Sequence, residues 1–192
     1  MPYRFVLLFF QAFLPPLIHN GVAFESHPQN CLARFDLKTK VLLGFIVRDF
    51  GGISVHRETL YAATGVELDC LPGHSVAVND LDEVYSAAYH AAIHNHLQRL
   101  IRVLDLHHNG EGWKIVRQHL MQLIPKDHGL HKAWLSSETE TVKSLLRMRI
   151  KDKYVSNRFQ FPCLITYVRI QSLYTPVPNL IIHNFKTNAD LS

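Results

Sequence analysis

The sequence predicts an α+β fold, and two observations carry that reading. A short polar turn, Asp36-Leu37-Lys38-Thr39-Lys40, separates two strand-like stretches, the pattern of an antiparallel hairpin. Beyond residue 80, Val84, Ala87, Ala88, Ala91, Leu97, Leu100, Ile101 and Leu104 recur at helical spacing, the pattern of a long buried-face helix. A chain of 192 residues with 47% hydrophobic and 19% charged residues can bury one such core and is not disordered in bulk. The expectation is therefore a hairpin or small sheet packed with a mainly helical C-terminal region.

In chain order, residues 1–18 carry Arg4 and the run Phe5-Val6-Leu7-Leu8-Phe9-Phe10, which imitates a signal peptide. Gln11 and Pro15-Pro16 interrupt the run, which is too short to span a bilayer. It reads as a buried helix ending near the prolines. A cytoplasmic chain with no membrane partner follows, with secretion as the alternative. Residues 22–35 and 41–50 read as the two hairpin strands. Residues 57–64 read as a short helix and 70–74 as a loop. Asn79 or Asp80 reads as the N-cap of the helix that runs to about residue 106. Asn109-Gly110-Glu111-Gly112 breaks that helix, and a second one over 113–124 stops at Pro125. Residues 131–135 and 141–150 read as further helices, 155–173 as extended, 174–179 as a rigid extended segment, and the tail from Lys186 as frayed.

The formal net charge of +4 is a mild basic excess. Much of it falls on Lys143, Arg147, Arg149, Lys151, Lys153 and Arg158, a solvated face without the interleaved aromatics of a base-stacking platform, so no nucleic-acid partner is expected. Cys31, Cys70 and Cys163 are far apart and form no CxxC pair, so neither a disulfide framework nor a structural zinc site is supported and free thiols fit best.

The chemistry concentrates in Glu25-Ser26-His27-Pro28-Gln29-Asn30 and Arg48-Asp49-Phe50-Gly51-Gly52. On a hairpin the two segments face each other, and the glycines let the backbone turn or approach a ligand closely. Glu25, Asn30 and Asp49 are oxygen ligands of the kind that hold Mg²⁺ with nucleotide phosphates. Protein kinases pair an Asn with the Asp of Asp-Phe-Gly in a related way, although a lone tripeptide is weak evidence. At strand period, His27 and Gln29 share a face with Glu25. His90 and His94 have the i, i+4 spacing of zinc ligands, with His96 pointing elsewhere, but thirteen histidines make such spacing common by chance. Arg99, Arg102, Arg147 and Arg149 are candidates for gripping an anionic substrate. Ser26 and His27 point to opposite strand faces, which argues against a nucleophile pair.

The segment Gly21-Val22-Ala23-Phe24-Glu25-Ser26-His27-Pro28-Gln29-Asn30 resembles the Glu-Ala-His-x-Gln-Asn motif of the NRPS-independent siderophore synthetases, the IucA/IucC, aerobactin-synthetase family. Arg48-Asp49-Phe50-Gly51-Gly52 is similar to that family's following Arg-Asp motif, Leu145-Leu146-Arg147-Met148-Arg149 to a later segment, and Pro176-Val177-Pro178-Asn179 to its terminal motif. The resemblance covers roughly residues 5–154 and 174–182. It implies an ATP-dependent ligase that adenylates a carboxylate of citrate or a related acid and then lets an amine or hydroxyl displace AMP. The implied roles are Mg²⁺ binding by Glu25, Asn30 and Asp49, and nucleotide and substrate contacts by His27, Gln29, Arg48, Arg147 and Arg149, with His27 beside the reacting carboxylate. The implied cofactors are ATP and Mg²⁺, and the implied partners a polycarboxylate and an amine, with a homo-oligomer or a separate N-terminal half to complete the site.

Two departures bear on activity. The family's Ser-x-Arg-Thr nucleotide loop has no counterpart, so residues 1–154 look like the C-terminal palm portion, inactive alone. Residues 155–173 look inserted, and 174–192 form a C-terminal segment and tail. The alternatives are a non-catalytic binding fragment and a kinase-like phosphotransferase. The second would need a Gly-rich loop upstream, where only some twenty residues stand.

Overall fold

Helix α1 (Pro2–Asn20) is the axis on which the remaining elements pack. The structure, a computed structural model, describes residues 2–70, 74, 76–143 and 174–182. Val6, Phe9, Phe10, Phe13, Leu14 and Leu17 fall on one helical face and are all buried. Burying a side chain of this size stabilises the fold by about 1.5–3 kcal/mol. The helix does not end at the prolines but passes through Pro15 and Pro16. Each interior proline costs about 3 kcal/mol; the buried Phe13, Leu14 and Leu17 on either side of the pair offset it. Both ends of α1 are also held by histidines. His119 Nε2 lies 3.1 Å from the Tyr3 carbonyl, and His128 Nε2 lies 3.2 Å from the Ile18 carbonyl, one of the last-turn carbonyls that lack a helical donor.

The expected strand over 22–35 is two strands in two sheets. β1 (Val22–Ala23) pairs antiparallel with β4 (Ser54–His56), which pairs in parallel with β5 (Ala77–Val78). β2 (Cys31–Phe35) and β3 (Leu42–Val47) form the expected antiparallel hairpin, with Cys31 opposite Val47 and Leu32 opposite Ile46. Its turn is organised by Asp36, whose Oδ1 accepts from Lys38 N, Thr39 N and Thr39 Oγ1 at 3.0, 2.7 and 2.9 Å. Those bonds, to Thr39 above all, hold the Asp36 carboxyl below the usual carboxylate range. The hairpin rests on α1 through Phe45, whose ring meets Phe5 and Phe9 edge-on at 5.2 and 5.6 Å. Its supporting helix thus precedes it in the chain. Leu32, Leu43 and Ile46 stay exposed.

Past β4, His56 caps α2 (Arg57–Thr64), accepting from Thr59 N. Asp80 is the N-cap of α3 (Leu81–Tyr89), accepting from Asp82 N at 3.0 Å. The run expected as one long helix changes pitch: His90–Leu97 is π-helical, and α4 (Gln98–Val103) resumes the α pitch. Helices α5 (Glu111–Leu123) and α6 (Gly129–Leu135) follow close to the expected limits. Among the described residues no helix is long and apolar enough to cross a membrane.

The helix expected over 141–150 is contradicted where the structure describes it. Thr139–Lys143 is strand β6, paired antiparallel with β7 (Tyr174–Pro178) from Thr139 opposite Pro178 to Lys143 opposite Tyr174. The β-branched Thr139, Thr141 and Val142 suit a strand, and the partner that selects it lies far along the chain. Pro176 and Pro178 lack donors yet are tolerated in a two-stranded ladder, where every strand is an edge. Residues 144–150 of that expected helix and the extended segment 155–173 lie outside the described residues. After β7, Asn179 is fully buried. Its Oδ1 accepts from Tyr89 OH at 2.8 Å and Ile181 N at 3.0 Å, and its Nδ2 donates to the Trp134 and Ser137 carbonyls at 2.9 Å each. One side chain thereby fastens the C-terminal segment to α3 and α6.

Candidate functional site

Residues 25–30 form a tight turn between the two sheets, because Pro28 removes a ladder donor where a continuous strand would need one. The His27 carbonyl accepts from Asn30 N and Cys31 N, both at 3.0 Å, which closes the turn. His27, Gln29 and Glu25 therefore do not line one strand face. They are gathered by the curl of the backbone. Asn30 is buried and its Nδ2 donates to Glu25 Oε2 at 3.2 Å. His27 Nδ1 accepts from Gln29 N at 3.2 Å, which puts the proton of a neutral ring on Nε2. That nitrogen stands 3.7 Å from Glu25 Oε1, too far for a hydrogen bond and close enough for a shared ligand or water. Arg48 clamps the turn from the hairpin: its Nε donates to the Gln29 carbonyl and its backbone N to the Asn30 carbonyl, both at 2.9 Å. The Gln29 side chain is exposed.

The second segment closes over Glu25. Asp49 sits in the left-handed region at φ 63°, a strained conformation for a residue with a side chain. Its Oδ1 accepts from Gly51 N at 3.3 Å and so caps the 3₁₀ turn Phe50–Gly52. Phe50 leans its ring on Phe24, the neighbour of Glu25, with centroids 6.2 Å apart. A side chain at Gly52 would collide with the Glu25 carboxylate, so this position needs glycine for the acid to sit where it does. Asp49 and Glu25 thus flank the same glycine turn. Among the described residues, Glu25, His27 and Asp49 do not bring three ligand atoms within 4.8 Å of one another.

The floor of the site comes from a residue that helical spacing had pointed elsewhere. His96 is buried in the π-helical stretch, and its Nδ1 lies 2.8 Å from the Ser26 carbonyl. Phe9 and Phe5 pack on its ring at centroid distances of 4.6 and 5.9 Å. Burial pushes the His96 imidazole below its ordinary value; the bond to Ser26 opposes that shift and nearby His27 adds to it. A neutral His96 thus ties the turn to the aromatic face of α1. The extra residue per π turn aims it there, and residue spacing alone gives no sign of that.

The other candidates separate from this group. Arg99 and Arg102 are exposed on the helical run. His90 and His94 meet ring edge to ring face at 6.1 Å, and His94 also packs on Tyr89. Burial, with His90 beside it, pushes the His94 imidazole down to about 4. Arg147 and Arg149 lie outside the described residues. Cys31, buried at the foot of the turn, has its thiol pushed up to about 12 by burial, which makes it a packing residue rather than a thiolate.

Comparison with known proteins gives these residues a context. A family model described as "Ferric iron reductase FhuF-like transporter" matches residues 4–155. The NRPS-independent siderophore synthetase rfs of Rhizopus delemar is 48% identical over 178 residues, which is 93% of this chain and 26% of that protein. The NRPS-independent siderophore synthetase-like protein ankE of Aspergillus thermomutatus is 34% identical over 156 residues, 79% of this chain and 25% of that protein. The chain thus spans about a quarter of the length of the curated relatives it matches. Among solved structures, the petrobactin biosynthesis protein AsbB from Bacillus anthracis aligns with a TM-score of 0.65 at 17% identity, over 92% of this chain and 30% of that one. This likeness shows a shared fold.

Proposed function

The chain belongs to the FhuF-like family and is homologous to NRPS-independent siderophore synthetases, and from that premise we propose that it is the Mg-nucleotide palm of an ATP-dependent acid–amine ligase. The observation that carries this reading is the Glu25–Asn30 pair, set against a glycine turn whose other side bears Asp49. All three present hard oxygen donors, and Glu25 and Asp49 are open to a ligand, which suits Mg²⁺ sharing its shell with phosphate and water. Bound there, the ion would supply Lewis-acid neutralisation of the phosphates.

The residues of the chain divide the remaining work. Asn30 fixes one oxygen of Glu25 and leaves the other toward the ligand side. His27 presents Nε2–H for a phosphate or carboxylate oxygen, where a fixed donor offsets charge that grows as pyrophosphate leaves. Arg48 spends its Nε on the turn and so holds His27 and Asn30 in register. In the reaction, an oxygen of a citrate-like carboxylate bonds to the α-phosphorus of ATP and pyrophosphate departs. An amine or hydroxyl then bonds to the acyl carbon and AMP departs. The rest of the nucleotide and acid sites would come from the parts of a full synthetase that lie outside the quarter this chain matches.

Iron reduction, named in the family description, finds less support. Four thiolates hold the common iron–sulfur centres, whereas this chain has three cysteines, with Cys31 buried and Cys70 against Arg57 Nη2 at 3.0 Å.

A chimera tests the ligase reading: this chain replaces the matching quarter of the Rhizopus delemar synthetase, and carboxylate-dependent AMP release is measured. The chimera is expected to form AMP, and Glu25→Gln to reduce the rate at least about 100-fold. A folded chimera that releases AMP equally well with Glu25→Gln would overturn the assignment.

A further inference from the structure

We propose that Asp105, His107 and His108, in the loop between α4 and α5, form a binding site for a divalent first-row transition ion of the zinc class. None of the three belongs to the site described above. One ligand atom from each lies within 4.8 Å of the other two, the only such group among the described residues. Asp105 Oδ1 stands 3.4 Å from His108 Nε2 and 3.8 Å from His107 Nδ1. Two ligands held about 2.0–2.1 Å from one zinc ion at tetrahedral angles are themselves about 3.4 Å apart. The Asp105–His108 pair already has the spacing of one edge of such a shell, and His107 Nδ1 is a few tenths of an ångström from completing a second.

The backbone explains how neighbours in sequence converge. Leu106 N donates to the Ile101 carbonyl at 2.9 Å, and the Leu106 carbonyl accepts from Gly112 N at 3.0 Å, so this residue pins the loop to both helices. Asp105, just before it, takes the left-handed conformation at φ 56°, which reverses the chain and lays its carboxylate over the two imidazoles that follow. Those rings lie tilted against each other, with centroids 3.8 Å apart and 37° between their planes.

Ordinary surface pairing does not account for the arrangement. Asp105 and His108 are 79% and 74% exposed, and at such exposure an ion pair contributes little. His107 Nδ1, at 3.8 Å, is beyond hydrogen-bond distance of the carboxylate, and His108 Nε2, at 3.4 Å, is at the far limit of it. His107 Nδ1 is shut off from solvent and has no hydrogen-bond partner, and it is aimed into the cluster. A metal ion is the partner that a lone-pair nitrogen beside a carboxylate and a second imidazole would take. Imidazole with one carboxylate suits zinc and its neighbours rather than Mg²⁺ or Ca²⁺, and three protein ligands leave an open position for water.

The test uses the full chain with any affinity tag removed. Zn²⁺ is titrated calorimetrically, and Co²⁺ is followed by its visible absorption. One equivalent of each is expected to bind, with Co²⁺ bands characteristic of imidazole and carboxylate ligation. Asp105→Asn and His108→Ala, both at exposed positions, should each weaken binding at least about tenfold, and His131→Ala should leave it unchanged. Wild-type affinity in His108→Ala, or no one-equivalent binding by the folded wild type, would overturn the proposal.

Discussion

Asn179→Ala should be among the most destabilising single changes outside the apolar core. The wild-type side chain makes four hydrogen bonds, to Tyr89 OH, Ile181 N and the Trp134 and Ser137 carbonyls, and is fully buried. A net contribution of about 1 kcal/mol per bond, with polar partners left unsatisfied, gives about 4 kcal/mol. That is a large part of the stability of an ordinary domain. Asn179→Asp provides the control. It keeps the acceptor for Tyr89 and Ile181 but turns an oxygen toward two carbonyl oxygens, so it should lose as much or more. Urea unfolding followed by tryptophan fluorescence reports directly, since Trp134 is one of two tryptophans and adjoins the site. A loss below about 1 kcal/mol in both variants would refute the idea that this one side chain latches the C-terminal segment to the helices.

Two further predictions concern the turn and the π-helical stretch. Gly52→Ala places a methyl 2.5 Å from Glu25 Cδ, so the carboxylate must retreat by about 1 Å, a displacement that can cost about 100-fold at a catalytic or ligand site. Mg-ATP affinity should fall accordingly in a chain that still unfolds cooperatively in urea; wild-type affinity would show that Glu25 is not a ligand. The second concerns pH. His94 is held at about 4 against an ordinary 6.5, so on acidification the unfolded chain takes the proton first. Its contribution is fully present above pH 6.5 and is lost as pH falls toward 4, by about 2 kcal/mol after discounting the full shift for the ring's partial exposure. Replacing His94 by Gln should flatten the fall in unfolding free energy between pH 7 and pH 5, and an unchanged slope would contradict the assignment.

What the sequence made legible was local. The hairpin turn could be read from Asp36 to Lys40, and the helix start narrowed to Asn79 or Asp80, because side chains there bond to their own backbone neighbours. The site motif was legible as a set of residue types. Its geometry was not, because Pro28 curls residues 25–30 into a turn where alternation suggested a strand. The helix through Pro15 and Pro16 defied its local signal because tertiary burial outweighs it. Strand β6 depends on a partner more than thirty residues away, which no local window contains. His96 meets Ser26 from a π-helical stretch, a change of pitch that residue spacing does not announce.

Calorimetric titration of ATP into the wild-type chain and Asp49→Ala, with and without Mg²⁺, tests the central claim most directly. The account predicts saturable, Mg²⁺-dependent binding by the wild type and its loss in the variant, with the fold unchanged, since Asp49 is exposed and its one hydrogen bond is local. Absence of binding by the folded wild type, or equal binding by Asp49→Ala, would contradict it.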